Sequence, residues 1–405
     1  MTENPLKNKH ILLAVSGSIA AYKAVELASQ LTKAGALVDV ILTPAAEKLV
    51  AALTFRSVTG RKAFTDSALW GNEEHVVHIT LARRADIMLV APASANSIAK
   101  LAHGIGDNLL SVTALAVACP LVVAPAMDAG MFSHPATQAN LSILQERGVT
   151  ILGPGEGHLA SGLKGKGRML EPSELYAHVR FLLSRSNTLA GKKFLITAGG
   201  TQEALDPVRF LSNHSSGKQG YALAQAALDA GAEVTLISAP TALTPPVGTR
   251  LIQVVSAEEM HIAVSNNIEQ ADVIIMAAAV ADFRPAASSS QKIKKESALQ
   301  EIKLEPTVDI LKTLGEYKNN KESPLLVGFA AESEQLLANA TKKLEGKNLD
   351  LIVANDISRP DAGFAVDTNE VTLLFRDGKQ LKIPKQDKEG VSQKIIDNII
   401  NLLHI

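Results

Sequence analysis

One cysteine, Cys119, occurs in 405 residues, so an intrachain disulfide is excluded and a reducing compartment is expected. It sits beside a proline in the apolar run TALAVACPLVV and reads as a buried, inert thiol. An excess of one charge is also missing: 40 Lys+Arg face 41 Asp+Glu, a net charge of −1. No overall field draws nucleic acid or an acidic membrane, so any anion must be caught locally. Long apolar runs are missing too. The stretch before Ser16 is five apolar residues, shorter than the roughly 7–15 of a signal-peptide core, which predicts a cytoplasmic protein. The run from Leu109 to Met127 is broken by Ser111, Thr113, Pro120 and Pro125, which predicts a helix and then a buried strand, not a membrane span. Neither half carries G-x-G-x-x-G, which argues against a dinucleotide. No His/Cys cluster points to a tightly held metal.

What is present is a pattern that starts twice. KHILLAVSGSIAAYKAVELASQLTKAGALVDVILTP and, after an insertion, KKFLITAGGTQ with SSGKQGYALAQAALDAGAEVTLISAP each read as strand, Gly/Ser loop, helix, turn, strand. That is the opening βαβ of a doubly wound parallel sheet. The length suits two cores. The polar stretch Ser184–Lys193 places a boundary near residue 188, giving domains 1–187 and 188–405. The expected fold is α/β, with two doubly wound, Rossmann-like or flavodoxin-like parallel-sheet domains.

Ligands of such sheets bind beyond the carboxyl ends of the strands. SGSIAAYK, Ser16–Lys23, follows a strand and opens a helix, which suits one phosphate and hence a mononucleotide. PASANS, Pro92–Ser97, is a second small, hydroxyl-rich turn. His75 and His78 share one helical face, and position alone does not choose between them. The glycine-rich, basic segment Gly157–Leu170 reads as a lid over an anion. In the second half SNHSSGKQG, Ser212–Gly220, has the composition of a phosphate loop without being G-x-x-x-x-G-K-[ST]. AASSSQKIKKE, 286–296, reads as a positively charged flap.

These motifs carry a resemblance that covers nearly the whole chain. SGSIAAYK, HITL, APASANSIAKLA, PAMDAGMF and GKGRM follow one another as in flavin-dependent cysteine decarboxylases. DPVRFLSNHSSGKQG, AAAVADFRP, KIKK, GFAAES and KNLDLIVAND look like phosphopantothenate cysteine ligase. Together the chain resembles the bacterial bifunctional phosphopantothenoylcysteine decarboxylase and phosphopantothenate cysteine ligase family of coenzyme A synthesis.

For the first half the resemblance implies FMN held by Gly17, Ser18, Ile19, Thr43, Ser94, Asn96 and Ser97. It also implies that oxidation of the substrate thiol eases loss of CO₂, the flavin ending unchanged. The family histidine falls on His78. Asp128 stands where the family has an asparagine that holds the substrate, and Ser161 where it has a protonating cysteine. For the second half it implies CTP with Mg²⁺, an acyl-cytidylate, and displacement of CMP by cysteine. Asn213 carries the catalytic role; Ser215, Ser216, Gly217 and Lys218 form the phosphate loop. Asp282, Lys292, Asp309, Ile310, Phe329, Lys343 and Lys347 contact CTP or substrate, although the family segment KNPDI is PTVDI here. The partners implied are the small molecules 4'-phosphopantothenate, cysteine and CTP, with neither nucleic acid nor membrane. The implied assembly is a homo-oligomer: trimers through the first half and dimers through the second, a dodecamer satisfying both. The alternative is a ligase whose first half is kept as a flavin-binding or oligomerising scaffold.

Overall fold

The structure, a computed structural model, describes residues 4–70, 76–185, 187–293, 301–319, 323–332, 335–356 and 367–404. His75 and the last three residues of the basic flap, 294–296, lie outside them. Contacts divide the chain into two units, 4–183 and 184–405.

In the first unit, β1 (His10–Val15), β2 (Leu37–Leu42), β3 (Ala63–Phe64), β4 (Ile87–Ala93), β5 (Leu121–Pro125) and β6 (Thr150–Ile151) form one parallel sheet in the order β3-β2-β1-β4-β5-β6. Helices cover both faces, so the strands are nearly continuous apolar runs; β4 is buried at every position. Leu13 and Val15 pack with Leu27 and Leu31 on one side. Leu12 and Val90 pack with Ile98 and Leu101 on the other, as the two-residue period of a strand requires. The broken run resolves as expected into the helix Leu109–Ala116 and the strand β5. The helix is started by a capping box in which Ser111 N–H donates to Asn108 Oδ1 (2.9 Å) and Asn108 N–H to Ser111 Oγ (3.2 Å).

The lid segment is an antiparallel ribbon, β7 (Gly155–His158) with β8 (Lys164–Arg168). Its alternating glycines let it lie flat on the turn after β5. Gly167 O accepts from Met127 N–H at 2.9 Å, and a Cβ on Gly167 would stand 2.2 Å from Met127 O.

The second unit holds β9 (Lys193–Ala198), β10 (Gln202–Ala204), β11 (Phe210–Ser212), β12 (Glu233–Ser238), β13 (Arg250–Gln253), β14 (Val273–Met276), β15 (Phe283–Pro285), β16 (Leu304–Pro306), β17 (Leu325–Glu332), β18 (Leu351–Asp356), β19 (Thr368–Phe375) and β20 (Gln380–Asp387). Its main sheet runs β13-β12-β9-β14-β17-β18-β19-β20. Pairing is parallel up to β18 and antiparallel for β19 and β20. These two edge strands depart from the all-parallel expectation. Asp377-Gly378, with Gly378 at φ +86°, turns the chain directly back in a hairpin. The insertion in the repeated pattern is the ribbon β10–β11. No helix among the described residues is long and apolar enough to cross a membrane.

The helix Lys218–Asp229 lies against β9 through Gly220, where an added Cβ would be 2.5 Å from Ala198 Cβ and 2.9 Å from Thr197 O. Gly220→Val is expected to destabilise the second unit by about 1–3 kcal/mol through overpacking, read from urea unfolding; an unchanged midpoint would mean that the helix lifts away without cost.

Candidate active sites at the two strand-order reversals

In the first unit strand order reverses between β1 and β4, and their following loops are tied together. The Ser16 hydroxyl donates to Pro92 O and accepts from Ser94 N–H, both at 2.8 Å. Beyond this tie lies a cavity of about 590 Å³ lined by Gly17, Ser18, Ile19 and Ser94 of the expected set, with Asp128, Ser161, Lys23 and Arg168. Gly17 is required: a Cβ there would meet Ala45 Cβ at 2.4 Å. Ser94 starts the helix Ala95–His103 and its hydroxyl accepts from Ser97 N–H at 3.3 Å, so the helix's positive end opens on the cavity. Thr43, Asn96, Ser97 and His78 are not among the lining residues. Thr43 is buried and caps the short helix after β2, accepting from Ala46 N–H at 3.3 Å. Asn96 is exposed, and Ser97 is buried against Ser94. His78 is half-buried in the helix Val77–Arg84.

The two residues that depart from the family pattern meet. Ser161 Oγ, on the ribbon turn, donates to Asp128 Oδ2 at 2.6 Å, and Gly130 N–H donates to Oδ1 at 2.9 Å. Ser161 first, and then Gly130 N–H, hold the Asp128 carboxyl below its ordinary value, so it is an ionised acceptor at neutral pH. Opposite charge comes from Lys23 and Arg168, which share the single carboxylate Glu171 at 2.8 and 2.6 Å. Lys23, Arg168 and His158 also line the cavity; they lie within Ser16–Lys23 and the basic segment 157–170, without a role of their own assigned from the sequence.

In the second unit the reversal lies between β9 and β14. Thr197 and Thr201 are buried, and their hydroxyls accept from Ala278 N–H (3.1 Å) and Ala281 N–H (2.9 Å). The cavity here, about 600 Å³, is lined by Asn213, Ser215, Ser216, Gly217, Lys218, Asp282, Asp309, Ile310, Phe329, Lys343 and Lys347. Gly217, at φ +76°, begins the helix Lys218–Asp229 and turns the loop so that the first N–H groups face the cavity. Asn213 is held by its own amide, which donates to Val280 O (3.1 Å) and Ala279 O (3.4 Å). Thr307 pins the segment before Asp309 to the loop of Asp282 through N–H to Asp282 O at 3.0 Å and Oγ1 to Ala281 O at 2.5 Å.

Asp309 caps the helix Ile310–Lys318 and pairs with Lys347 at 2.8 Å. Burial pushes its carboxyl up, but Lys347 and the Lys312 N–H outweigh this and hold it below the ordinary value. Gln219, Asn355, Asn369 and Lys388 also line this cavity; the first two lie within SNHSSGKQG and KNLDLIVAND, and none of the four was assigned a role from the sequence. Asn369 and Lys388 come from the antiparallel edge and the helix after it, where no motif marked them.

Lys292 is exposed and is not among the lining residues. Its neighbour is anchored by Asp206, whose side chain is fully covered. Asp206 accepts from Val208 and Arg209 N–H at 2.8 Å, from the Arg209 guanidinium at 2.7 Å and from Ile293 N–H at 3.2 Å. The guanidinium also donates to Ile293 O at 2.6 Å. Burial would raise the Asp206 carboxyl; the hydrogen bonds win and lower it to about 2.

Two doubly wound sheets, each with an open cavity at its reversal, place the chain in the class of α/β proteins that take ligands at strand carboxyl ends. Residues 1–184 match the Flavoprotein family and 189–403 the DNA/pantothenate metabolism flavoprotein C-terminal domain. The chain is 46% identical over 400 residues to the coenzyme A biosynthesis bifunctional protein CoaBC of Bacillus subtilis (strain 168), covering 98% of each chain. It is 44% identical over 394 residues to CoaBC of Vibrio cholerae, covering 96% of this chain and 98% of that one. A solved C-terminal domain of a CoaBC protein is 46% identical and covers 54% of this chain and 99% of its own, with a TM-score of 0.46. The chain belongs to the CoaBC family of bifunctional coenzyme A biosynthesis proteins.

Because the Asp206 carboxyl is lowered from 3.8 to about 2, its anchoring of the flap is complete above pH about 4 and is lost as pH falls toward 2. Amide exchange at Val208, Arg209 and Ile293 is expected to lose protection across that window. Asp206→Asn is expected to speed tryptic cleavage after Lys292 several-fold at pH 8, and an unchanged rate would remove Asp206 as the anchor.

Proposed function

We propose that the protein converts 4'-phosphopantothenate to 4'-phosphopantetheine in two steps, with residues 184–405 as the CTP-dependent ligase and residues 4–183 as the FMN-dependent decarboxylase. The carrying observation is that one cavity gathers Asn213, the 215–218 loop, Asp282, Asp309, Phe329, Lys343 and Lys347 from separate segments. The 215–218 loop and helix N-terminus hold phosphate. Phe329 packs on the base or ribose, and Lys343 and Lys347 balance charge, Lys347 exchanging Asp309 for phosphate. Asn213, fixed by two carbonyls, keeps its amide oxygen as acceptor, so stabilising an acyl-cytidylate by donation from its amide requires exchange of those bonds. Lys292 reaches the site only by flap movement. No group of three or more His, Cys, Asp or Glu among the described residues could hold a metal; Mg²⁺ enters with the triphosphate.

The first cavity fits FMN: the Ser16–Ile19 loop and the Ser94 helix start suit its phosphate, while Ile19, Met127, Met131 and Met169 offer an apolar bed for the ring. When bound, the flavin supplies two-electron chemistry at the substrate thiol. Asp128 accepts from the substrate amide N–H, and Arg168 or Lys23 meets its carboxylate. His78 would serve a neighbouring subunit's cavity, as in a trimer built on the exposed Ile19, Tyr22 and Leu53. Dimers through the second unit, a dodecamer and a cytoplasmic location complete the reading.

A second reading, ligase with a scaffold domain, draws on the Ser161–Asp128 bond, because a serine hydroxyl directed to a carboxylate is a poor proton source. With 4'-phosphopantothenate, CTP, Mg²⁺ and cysteine, the purified protein is expected to release pyrophosphate and CO₂ and to show flavin absorbance. Pyrophosphate without CO₂ from a yellow protein would establish the scaffold reading, and neither product would overturn both.

A further inference from the structure

Glu171 ties the lid of the first cavity to the helix after the Ser16–Ile19 loop, and it holds its two cations unequally. It stands between β8 and the helix Pro172–Ser184. Its backbone O accepts from Glu174 N–H and Leu175 N–H, both at 3.0 Å, and its own N–H donates to Glu174 Oε2 at 2.8 Å, so the first helical turn fixes it. From there the carboxylate reaches Lys23 in the helix Ala21–Lys33, whose Nζ donates to both oxygens, at 2.8 and 2.9 Å. Lys23 is buried, 8% exposed, and a buried ammonium gives up a sole anionic partner only at a high desolvation cost. Arg168 differs on each count. Its side chain is 46% exposed, and it reaches Glu171 through Nη2 alone, at 2.6 Å. Its Nε and Nη1 have no hydrogen-bond partner among the described residues.

A guanidinium is a planar fork of five N–H groups, with two two-donor edges that meet at Nη2. One bond from Nη2 leaves one of these edges complete, whichever hydrogen it uses. The ribbon keeps space beside it: a Cβ on Gly157 would stand 3.4 Å from Arg168 Cδ and 3.5 Å from Nη1, and glycine leaves that side uncovered. Arg168 also follows directly on the residue that packs on the turn of Asp128, since a Cβ on Gly167 would lie 3.3 Å from both Asp128 C and Ala129 N. Asp128 is the only acidic residue among those lining the cavity. Its carboxylate accepts from Ser161 and Gly130 and has no ion-pair partner among the described residues. An ionised carboxylate repels a second one brought close to it. A ligand that carries a carboxylate therefore needs a cation at this end of the cavity, and Arg168 has an edge to offer.

Resting on the decarboxylase reading above, and choosing between the two cations that it names, we infer that the open edge of Arg168 binds the substrate carboxylate that leaves as CO₂ and offsets the charge of Asp128. Glu171 is its positioning residue, and Lys23 stays with Glu171. The grip belongs to the ground state. When the C–C bond breaks, its electron pair stays with the substrate, and neutral CO₂ leaves Arg168 no charge to hold. Arg168 thus sets binding and selectivity and not the rate of the chemical step: it retains the carboxylated substrate and lets the decarboxylated product go.

Titration calorimetry of the FMN-loaded full chain tests this with two ligands. One is the serine analogue of phosphopantothenoylcysteine, which keeps the carboxylate and has no thiol to oxidise; the other is 4'-phosphopantetheine, which has no carboxylate. Arg168→Gln is expected to weaken binding of the serine analogue about 10- to 100-fold, the loss of hydrogen bonds between charged groups. Binding of 4'-phosphopantetheine and of FMN should stay at wild-type values, and in turnover KM for phosphopantothenoylcysteine should rise while kcat does not fall. Arg168→Lys, which keeps the charge without the two-donor edge, should fall between Arg168→Gln and wild type. In an Asp128→Asn background Arg168→Gln should cost a smaller factor, because the repulsion that it offsets is gone; an equal factor would overturn the offset. Glu171→Gln should weaken the serine analogue on its own and add nothing to Arg168→Gln, and an additive loss would remove Glu171 as the positioning residue. The inference is overturned if Arg168→Gln binds the serine analogue as wild type does. It is also overturned if both ligands weaken together, which would place Arg168 on their shared phosphate-bearing arm, or if FMN binding falls in their place, which would assign it to the cofactor. Wild type that releases no CO₂ from phosphopantothenoylcysteine would sink the decarboxylase reading itself, a failure distinct from the preceding ones.

Discussion

Both sites depend on buried hydroxyls that tie strand ends at the point where the sheet order reverses. A parallel sheet stops hydrogen bonding at its carboxyl edge, and at the reversal the two neighbouring chains diverge to opposite faces. Ser16 bridges the chain ends after β1 and at β4; Thr197 at the end of β9 and Thr201 just after it hold the loop that follows β14. Each such bond is worth only about 1 kcal/mol net, but removing one partner strands a buried donor or acceptor at about 1–3 kcal/mol. The cavity floors are therefore fixed before any ligand arrives, and Gly17 and Gly217 can bring backbone close to an anion without the loops spreading.

The cations of both cavities share a second trait: many already have an anionic partner. Lys23 and Arg168 share Glu171, Lys218 faces Asp367 and Lys347 faces Asp309. A lysine in a half-closed cavity would otherwise lose hydration without return. A phosphate or carboxylate then binds by exchanging partners, which lowers net affinity but raises selectivity for ligands that satisfy several pairs at once. Arg168 is the exception, because its one bond from Nη2 leaves an edge of the fork open.

The phosphate loops were readable because in doubly wound sheets they are contiguous: an apolar run, then small residues, then a helix. Gly17, Ser18, Ser94 and the 215–218 loop needed no knowledge of distant contacts. Ser97 lies in the Ser94 turn and Thr43 after β2, yet the Ser97 hydroxyl is spent on Ser94 and that of Thr43 on a helix cap, and composition does not show where a hydroxyl points. The bond between Asp128 and Ser161 was hidden for another reason. The sequence marked each as a departure from a pattern, whereas only the folding of the β7–β8 ribbon onto the turn after β5 makes them partners.

The sequence by itself determined two doubly wound α/β units, their order, and the segments that end at strand carboxyl edges, because those properties reside in local periodicity and in residues adjacent along the chain. Tertiary structure alone decided that β19 and β20 run antiparallel, that Asp206 anchors the flap, that His78 is not among the residues lining its own chain's first cavity, and that Lys388 and Asn355 line the second one. Those are juxtapositions of side chains across long loops, and they come from sheet order and helix packing, which no spacing along the chain encodes.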